Sequence, residues 1–246
     1  MDIRQLVIVA HKRDEVVEKL CNLFEIKVAY YDPGIIHFGL ENALLPIGNT
    51  FLEVISPVQE NTTAGRFLER RGGDGGYMVI IQVDDFASSK KAVEKASIDI
   101  VFESEDPSAR AIHLHPKQLG GAILSLDSMD PPESWKWAGD NWREKVDTTL
   151  VDSIAGVQVQ SSDPLKMKNR WLSVLPSTAK EGESIINLDH TDIEFTEDLD
   201  KRGNGVSAFK IKVKDKEEIY KQADIISLHL PLTKHTKNMI RAEHIA

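Results

Sequence analysis

Apolar and β-branched residues fall in short runs along this chain, and four of those runs end the same way. The phrases at residues 5–14, 78–85, 156–163 and 208–215 each carry an apolar or alternating stretch that closes on an aspartate: Asp14, Asp85, Asp163 and Asp215. Apolar residues at helical spacing come after each one. Self-similarity on this scale dictates architecture before any single motif does. It predicts β-α-β-β-β modules that pair into curved, half-open sheets around a pocket, an α+β fold with paired half-barrels.

In the first module, residues 6–9 form a continuous β-prone run, the pattern of a buried strand. Asp14 is placed to cap the next helix, where Val16, Val17, Leu20, Leu23 and Phe24 share a face. Pro33-Gly34 marks a turn. Residues 35–40 and 51–55 read as strands, the second stopped by Pro57. A short connecting helix is expected over 64–71. The glycine-rich stretch at 72–76 reads as a module linker, with a lid or anion-binding loop beside Arg66, Arg70 and Arg71 as the alternative. It is not a dinucleotide fingerprint, because its spacing differs and it leads into a strand.

The second module predicts a strand at 78–83, a helix over 89–96 and strands near 98–102, 111–114 and 122–126. An arm at 131–150 then holds three tryptophans among prolines and polar residues. Its rings read either as packing across a domain boundary or as a stacking platform for a ligand. In the third module Asp163-Pro164 opens a helix, Met167, Trp171 and Leu175 share a face, and residues 185–188 and 191–195 read as strands. The fourth supplies a strand from Val206 and a helix over 216–223, and is expected to be truncated. The resulting division is a first domain at 1–130, the arm at 131–150 and an incomplete second domain at 151–246 with an atypical tail at 224–246.

A length of 246 residues suits one or two domains. The formal charge of −9 argues against a nucleic-acid groove or an anionic membrane surface. No apolar run approaches the roughly 20 residues that span a bilayer. The opening residues carry no basic segment before an apolar one, so no signal peptide is read. Cys21 is the one cysteine, which excludes an intrachain disulfide and makes a reducing, cytoplasmic setting the expectation. It reads as a small buried thiol.

The phrases FLEVISP (51–57), GGYMVIIQVDD (75–85) and HPKQLGG (115–121) resemble the vicinal oxygen chelate superfamily, which includes glyoxalase I, bleomycin-resistance proteins, extradiol dioxygenases and methylmalonyl-CoA epimerase. The resemblance runs over residues 1–223 and is strongest to two-domain glyoxalase-like proteins. It implies a small-molecule ligand, and a homodimer is among the assemblies it implies. Members that use metal place one ligand on the first strand of each module and one on the last. The matching positions here hold Gln5, Glu53, Met78 and Ser125, with Gly156, Glu194 and Ala208 in the later modules. A thioether is unsuited to Mg, Mn or Zn, so the standard divalent-metal site looks largely lost, with Gln5 and Glu53 as its remaining ligands.

His113 and His115, two apart on a predicted strand, face one side and with Glu53 would make a two-histidine, one-carboxylate set. A solvated strand end before Pro116 is the competing reading. His37 is expected in a strand and His11 at an exposed strand–helix junction. Glu53 is the strongest catalytic candidate: it interrupts the apolar run 51–55, and a carboxylate there faces a pocket, is paired, or points to solvent. In a pocket its pKa rises toward that of a general base.

Residues 223–240 resemble a strand and loop from the cofactor domain of D-2-hydroxyacid dehydrogenases, without that family's glycine fingerprint. Within this tail residues 225–230 are expected as a strand, residues 234–246 as a surface helix, and the second sheet as incomplete with an exposed or partner-covered edge. Two functions remain open. One is a glyoxalase-like isomerase, lyase or proton-transfer enzyme acting on a small oxygenated or carbonyl compound, with Glu53, His113 and His115 catalytic and Gln5, Tyr77, Met78 and Ser125 binding substrate. The other is a metal-free binding protein of the bleomycin-resistance type.

Overall fold

The computed structural model describes residues 1–175, 183–215 and 217–219. The first module opens with β1 (Asp2–Val9), followed by α1 (Arg13–Phe24), β2 (Leu40–Ile47) and β3 (Thr50–Pro57). A connecting helix, α2 (Thr63–Arg71), leads to the second module: β4 (Gly75–Gln82), α3 (Phe86–Lys95), β5 (Ile100–Glu103), β6 (Ala109–Leu114), the single turn α4 (Pro116–Leu119) and β7 (Ile123–Met129). After the arm come β8 (Val151–Ser161), α5 (Pro164–Leu172), β9 (Ile185–Asn187), β10 (Asp192–Glu197) and β11 (Gly205–Val213).

The first two modules share one seven-stranded sheet in the order β2-β3-β1-β4-β7-β6-β5. Within each module the first and last strands run parallel, β1 beside β3 and β4 beside β7. The modules join where β1 and β4 pair antiparallel, with Gln5 opposite Ile80 and Val7 opposite Met78. The remaining strands repeat this plan as a four-stranded sheet, β11-β8-β10-β9, with β8 parallel to β10 and antiparallel to β11. This is the glyoxalase-like arrangement of βαβββ modules.

Three of the four repeat aspartates cap the next stretch of chain. Asp85, Asp163 and Asp215 accept the backbone N–H of Ser88, Lys166 and Glu218, satisfying donors that a helix start leaves without partners. Asp14 differs: Lys12 holds the cap position, and Asp14 lies in the first turn, where its charge meets the helix dipole.

The first module departs from expectation. Residues 33–38 form a 3-10 turn capped by Asp32, and the strand begins only at Leu40. An earlier strand survives as one bridge between Tyr30 and Leu44. Pro46 sits inside β2, which is tolerated because β2 borders the sheet and no full strand among the described residues pairs with its outer side. The predicted linker at 72–76 is half strand, since Gly75 and Gly76 begin β4. A Cβ at Gly76 would lie 2.4 Å from Val206 Cγ1, so only glycine lets β4 approach β11 this closely. Arg71 donates to the carbonyl oxygens of Arg202, Gly203 and Asn204 and ties the two sheets together. The predicted strand at 225–230, the helix over 234–246 and any end to the fourth module lie outside the described residues.

The seven-stranded sheet buries both faces. Ile3, Leu6, Val79, Ile81 and Leu124 pack toward the helices. Val7, Phe51, Ile55, Met78 and Ile80 turn to the concave side, where Trp135 and Trp142 of the arm join them. Among the described residues no helix is long and apolar enough to cross a membrane.

Candidate functional site

The concave face lines a half-open cavity of about 350 Å³. Its wall draws on both modules: Gln5 and Val7 from β1, Asn42 and Leu44 from β2, Glu53 and Ile55 from β3, Met78 and Ile80 from β4, Ala111 and His113 from β6, Ile123 and Asp127 from β7. The turn carrying Asp32, Ile35 and Phe38 stands at its rim with Phe102, and Trp137 of the arm closes part of it.

Period-two alternation on β3 puts Phe51, Glu53 and Ile55 on the concave side. Glu53 is only 8 % exposed. Each of its oxygens accepts one amide N–H: Gln5 Nε2 donates to Oε2 at 2.7 Å and Asn42 Nδ2 to Oε1 at 2.7 Å. Both amides are themselves held in orientation. Trp135 Nε1 donates to Gln5 Oε1 at 2.9 Å, and the Asp32 N–H donates to Asn42 Oδ1 at 2.8 Å. Burial pushes the Glu53 pKa up; the two amide bonds pull it back, the charge of Asp32 raises it again, and it settles at about 7.

A second carboxylate reaches the cavity from the other module. Asp127 accepts hydrogen bonds from Ser125 Oγ and from Trp137 Nε1, the latter at 2.8 Å. Burial raises its pKa to about 7 against those two bonds. His113 stands on the neighbouring strand with its ring 4.6 Å from that of Phe102. Burial lowers its pKa to about 4, so it is a neutral imidazole at physiological pH. Burial also lifts the Tyr77 hydroxyl to about 12 and keeps it protonated.

Gln5, Glu53, Tyr77, Met78 and His113 are therefore gathered around one cavity, and two other candidates are not. His115 lies beyond the end of β6, where the chain turns into α4 at Pro116. Its Nδ1 accepts the Lys117 N–H as the cap of that turn, so it does not share a strand face with His113 and does not line the cavity. Ser125 points to the concave side but is fully buried beneath Asp127, bonded to it and to the Ile112 carbonyl. His37 sits in the 3-10 turn outside the lining, and His11 is exposed. Cys21 is half-buried on α1 and burial raises its thiol pKa, the opposite of an activated nucleophile. Sequence reasoning misses Asp127, whereas Trp137 on the wall belongs to the arm that it offered as a ligand platform. The signal that could have found Asp127 is a carboxylate at alternate spacing in the apolar stretch 123–129.

The donors at the four metal positions do not fit a hard divalent ion. Met78 offers a thioether, and Ser125 is committed to Asp127. Gln5 Oε1 already receives an indole N–H, and each Glu53 oxygen an amide N–H. Among the described residues no three His, Cys, Asp or Glu side chains come together as a metal-holding group, so the two-histidine, one-carboxylate set is not assembled.

Sequence comparison relates part of the chain to epimerases. It is 26% identical over 92 residues to human mitochondrial methylmalonyl-CoA epimerase, covering 36% of this chain and 52% of that one. It is 23% identical over 96 residues to the ethylmalonyl-CoA/methylmalonyl-CoA epimerase of Cereibacter sphaeroides, covering 37% and 71%. The chain spans about half the length of the mammalian relatives it matches. Among solved structures, a methylmalonyl-CoA epimerase in complex with methylmalonyl-CoA and NH4+ aligns with a TM-score of 0.48 at 18% identity, covering 53% of this chain and 96% of that one. The Mycobacterium tuberculosis methylmalonyl-CoA epimerase aligns at 0.46 and 19%, covering 52% and 87%. These epimerases belong to the vicinal oxygen chelate superfamily, whose βαβββ half-barrel is the arrangement found here. Residues 193–246 match the family model of the D-isomer specific 2-hydroxyacid dehydrogenase NAD binding domain. The described part of that match, β10 and β11, forms strands of the four-stranded sheet.

Proposed function

We propose that this chain moves a proton at a carbon next to a carbonyl group, an isomerase or epimerase activity, with Glu53 and Asp127 as the paired acid and base. One observation carries the reading: two buried carboxylates from different modules, both with pKa near 7, face one cavity. Groups poised at the working pH transfer protons best. At neutrality one is ionised and the other protonated in a sizeable share of molecules. The ionised carboxylate takes the proton from carbon, leaving an enolate. The protonated one returns a proton to the same carbon from its own side, and the configuration inverts without net oxidation or reduction. Tyr77, kept protonated, offers an O–H donor on the wall for the developing enolate oxygen. The relatives that match part of the chain are epimerases by name, which supports an isomerase.

A racemisation assay tests this. The N-acetylcysteamine thioesters of 2-phenylpropionate and of methylmalonate are incubated with the protein in D2O, and deuterium at the α-carbon is followed by NMR. The wild type is expected to exchange at least one of them, and Glu53→Gln to lose roughly 10²–10⁴-fold of that rate. No exchange of either, or full exchange by Glu53→Gln, overturns the proposal. The apolar wall favours a second reading, a binding protein that sequesters its ligand without turnover, and that same absence of exchange would favour it.

A further inference from the structure

We infer that this cavity takes an uncharged ligand and turns carboxylates away, so that its substrate is not a malonyl-type acid of the kind named by the related epimerases. The inference rests on the same cavity as the proton-transfer reading, but it is tested by binding alone, so either can fail without the other.

The wall contains three acids, Asp32, Glu53 and Asp127, and no lysine or arginine among the described residues that line it. Its one histidine is held neutral by burial. The influences on the two buried carboxylates agree. Desolvation dominates at Glu53, the bonds from Asn42 and Gln5 oppose it, and the one charge among the described residues acting there is that of Asp32, which is negative. At Asp127 desolvation is opposed by Ser125 and Trp137, with no charged group among the described residues taking part. The guanidinium groups of Arg66 and Arg70 on α2 are felt at Tyr77, yet neither residue lines the cavity. The first turn of α2 reaches the wall at Thr63 and Ala64. A helix start is worth about half a positive charge, and Thr62 Oγ1 already accepts the Gly65 N–H there. It cannot offset the acids.

The metal positions do not supply the missing charge, because their donors do not suit a hard ion. A ligand carboxylate placed here would lose water, meet like charges and find no cation among the described residues of the wall. The rest of the wall (Val7, Leu44, Ile55, Met78, Ile80 and Ile123) suits an apolar body with a carbonyl oxygen.

Three probes of nearly equal shape separate the classes: acetophenone, benzoate and benzylammonium. Their binding to the full chain is followed by NMR at the Trp137 indole N–H and the Met78 methyl, at a pH of about 8, where both raised carboxylates are ionised. Acetophenone is expected to shift both signals, with benzoate at least about tenfold weaker. The double variant Glu53→Gln/Asp127→Asn is expected to shrink the benzoate penalty, because only the charge has been removed. Benzoate binding as well as acetophenone overturns the inference. So does benzylammonium binding more tightly than acetophenone, the absence of a shift with acetophenone, or an unchanged benzoate penalty in the double variant.

Discussion

Strand pairing lets the two sheets be compared residue by residue, and they hold the same carboxylate in opposite settings. In the first sheet Gln5 pairs with Phe51 and Ile80, and Val7 with Glu53. In the second, Gly156 pairs with Asp192 and Lys210, and Gln158 with Glu194. Glu194 therefore occupies the place of Glu53, and Lys210 the place of Ile80. Glu194 is also bonded to a glutamine, Gln158, at 3.0 Å. But Lys210 Nζ lies 2.9 Å from it and 2.6 Å from Asp192, and the pair is about one-third exposed. Burial tends to lower the Lys210 pKa, yet bonds to Asp192 and Glu194 raise it overall. A repeated strand position thus becomes an ion pair where a cation and water are near, and a candidate acid–base group where Ile80 and the arm replace them.

The largest expected effect is that of Glu53→Gln, a loss of roughly 10²–10⁴-fold in proton exchange at the α-carbon. Its companion effect on stability has a definite sign. The folded pKa of Glu53, about 7, exceeds its ordinary 4.5, so between those values the native state holds the proton more firmly than the unfolded state. That contribution is complete below pH 4.5 and is lost as pH rises through about 7. Urea unfolding should show Glu53→Gln gaining stability relative to wild type as pH increases across this window. His113 acts in the opposite sense. Its pKa of about 4 lies below 6.5, so its contribution is present above 6.5 and lost as pH falls toward 4. His113→Gln should therefore flatten the acid side of the wild-type curve.

Next in size is a transplant of one sheet's chemistry into the other. Ile80→Lys places in the first sheet the cation that Lys210 provides in the second. Glu53 should drop toward the ordinary carboxylate range, read by carbon-13 NMR, and the benzoate penalty should shrink. A Glu53 that titrates unchanged in a folded Ile80→Lys protein would break the comparison. Trp137→Phe should act more gently, removing one of the two donors that lower the Asp127 pKa and so raising it further; Asp127 titration checks this. The smallest effect is that of Lys210→Met, at most about 1 kcal/mol in urea unfolding, because a pair this exposed is screened by water.

The repeat was legible because each copy is a short apolar run with a capping residue at its end, and both signals are local. Glu53 was legible because a carboxylate stands out in an apolar strand. The strand Leu40–Ile47 was not, because Pro46 argues against a strand until one knows that it borders the sheet. Of the two readings of His115, the strand end before Pro116 holds and the face shared with His113 does not, because two-residue spacing promises a shared face only while the strand continues, and this one stops at Leu114. The roles of Trp135 and Trp137 were hidden for another reason. Each reaches a partner far away in sequence or on another element, and no local pattern announces a hydrogen bond between residues 135 and 5. The arm divides between its two readings: Trp135 is completely buried against Phe51, and Trp137 lines the cavity.

The arm's indole on Asp127 gives the protein a built-in optical gauge. Trp137 donates to a carboxylate whose charge disappears on protonation near pH 7, and a bond to a charged acceptor is markedly stronger than one to a neutral group. The ring's ultraviolet emission should therefore change as Asp127 titrates, and again when a guest displaces water beside it, so the occupancy of this hollow can be followed in dilute solution without any label.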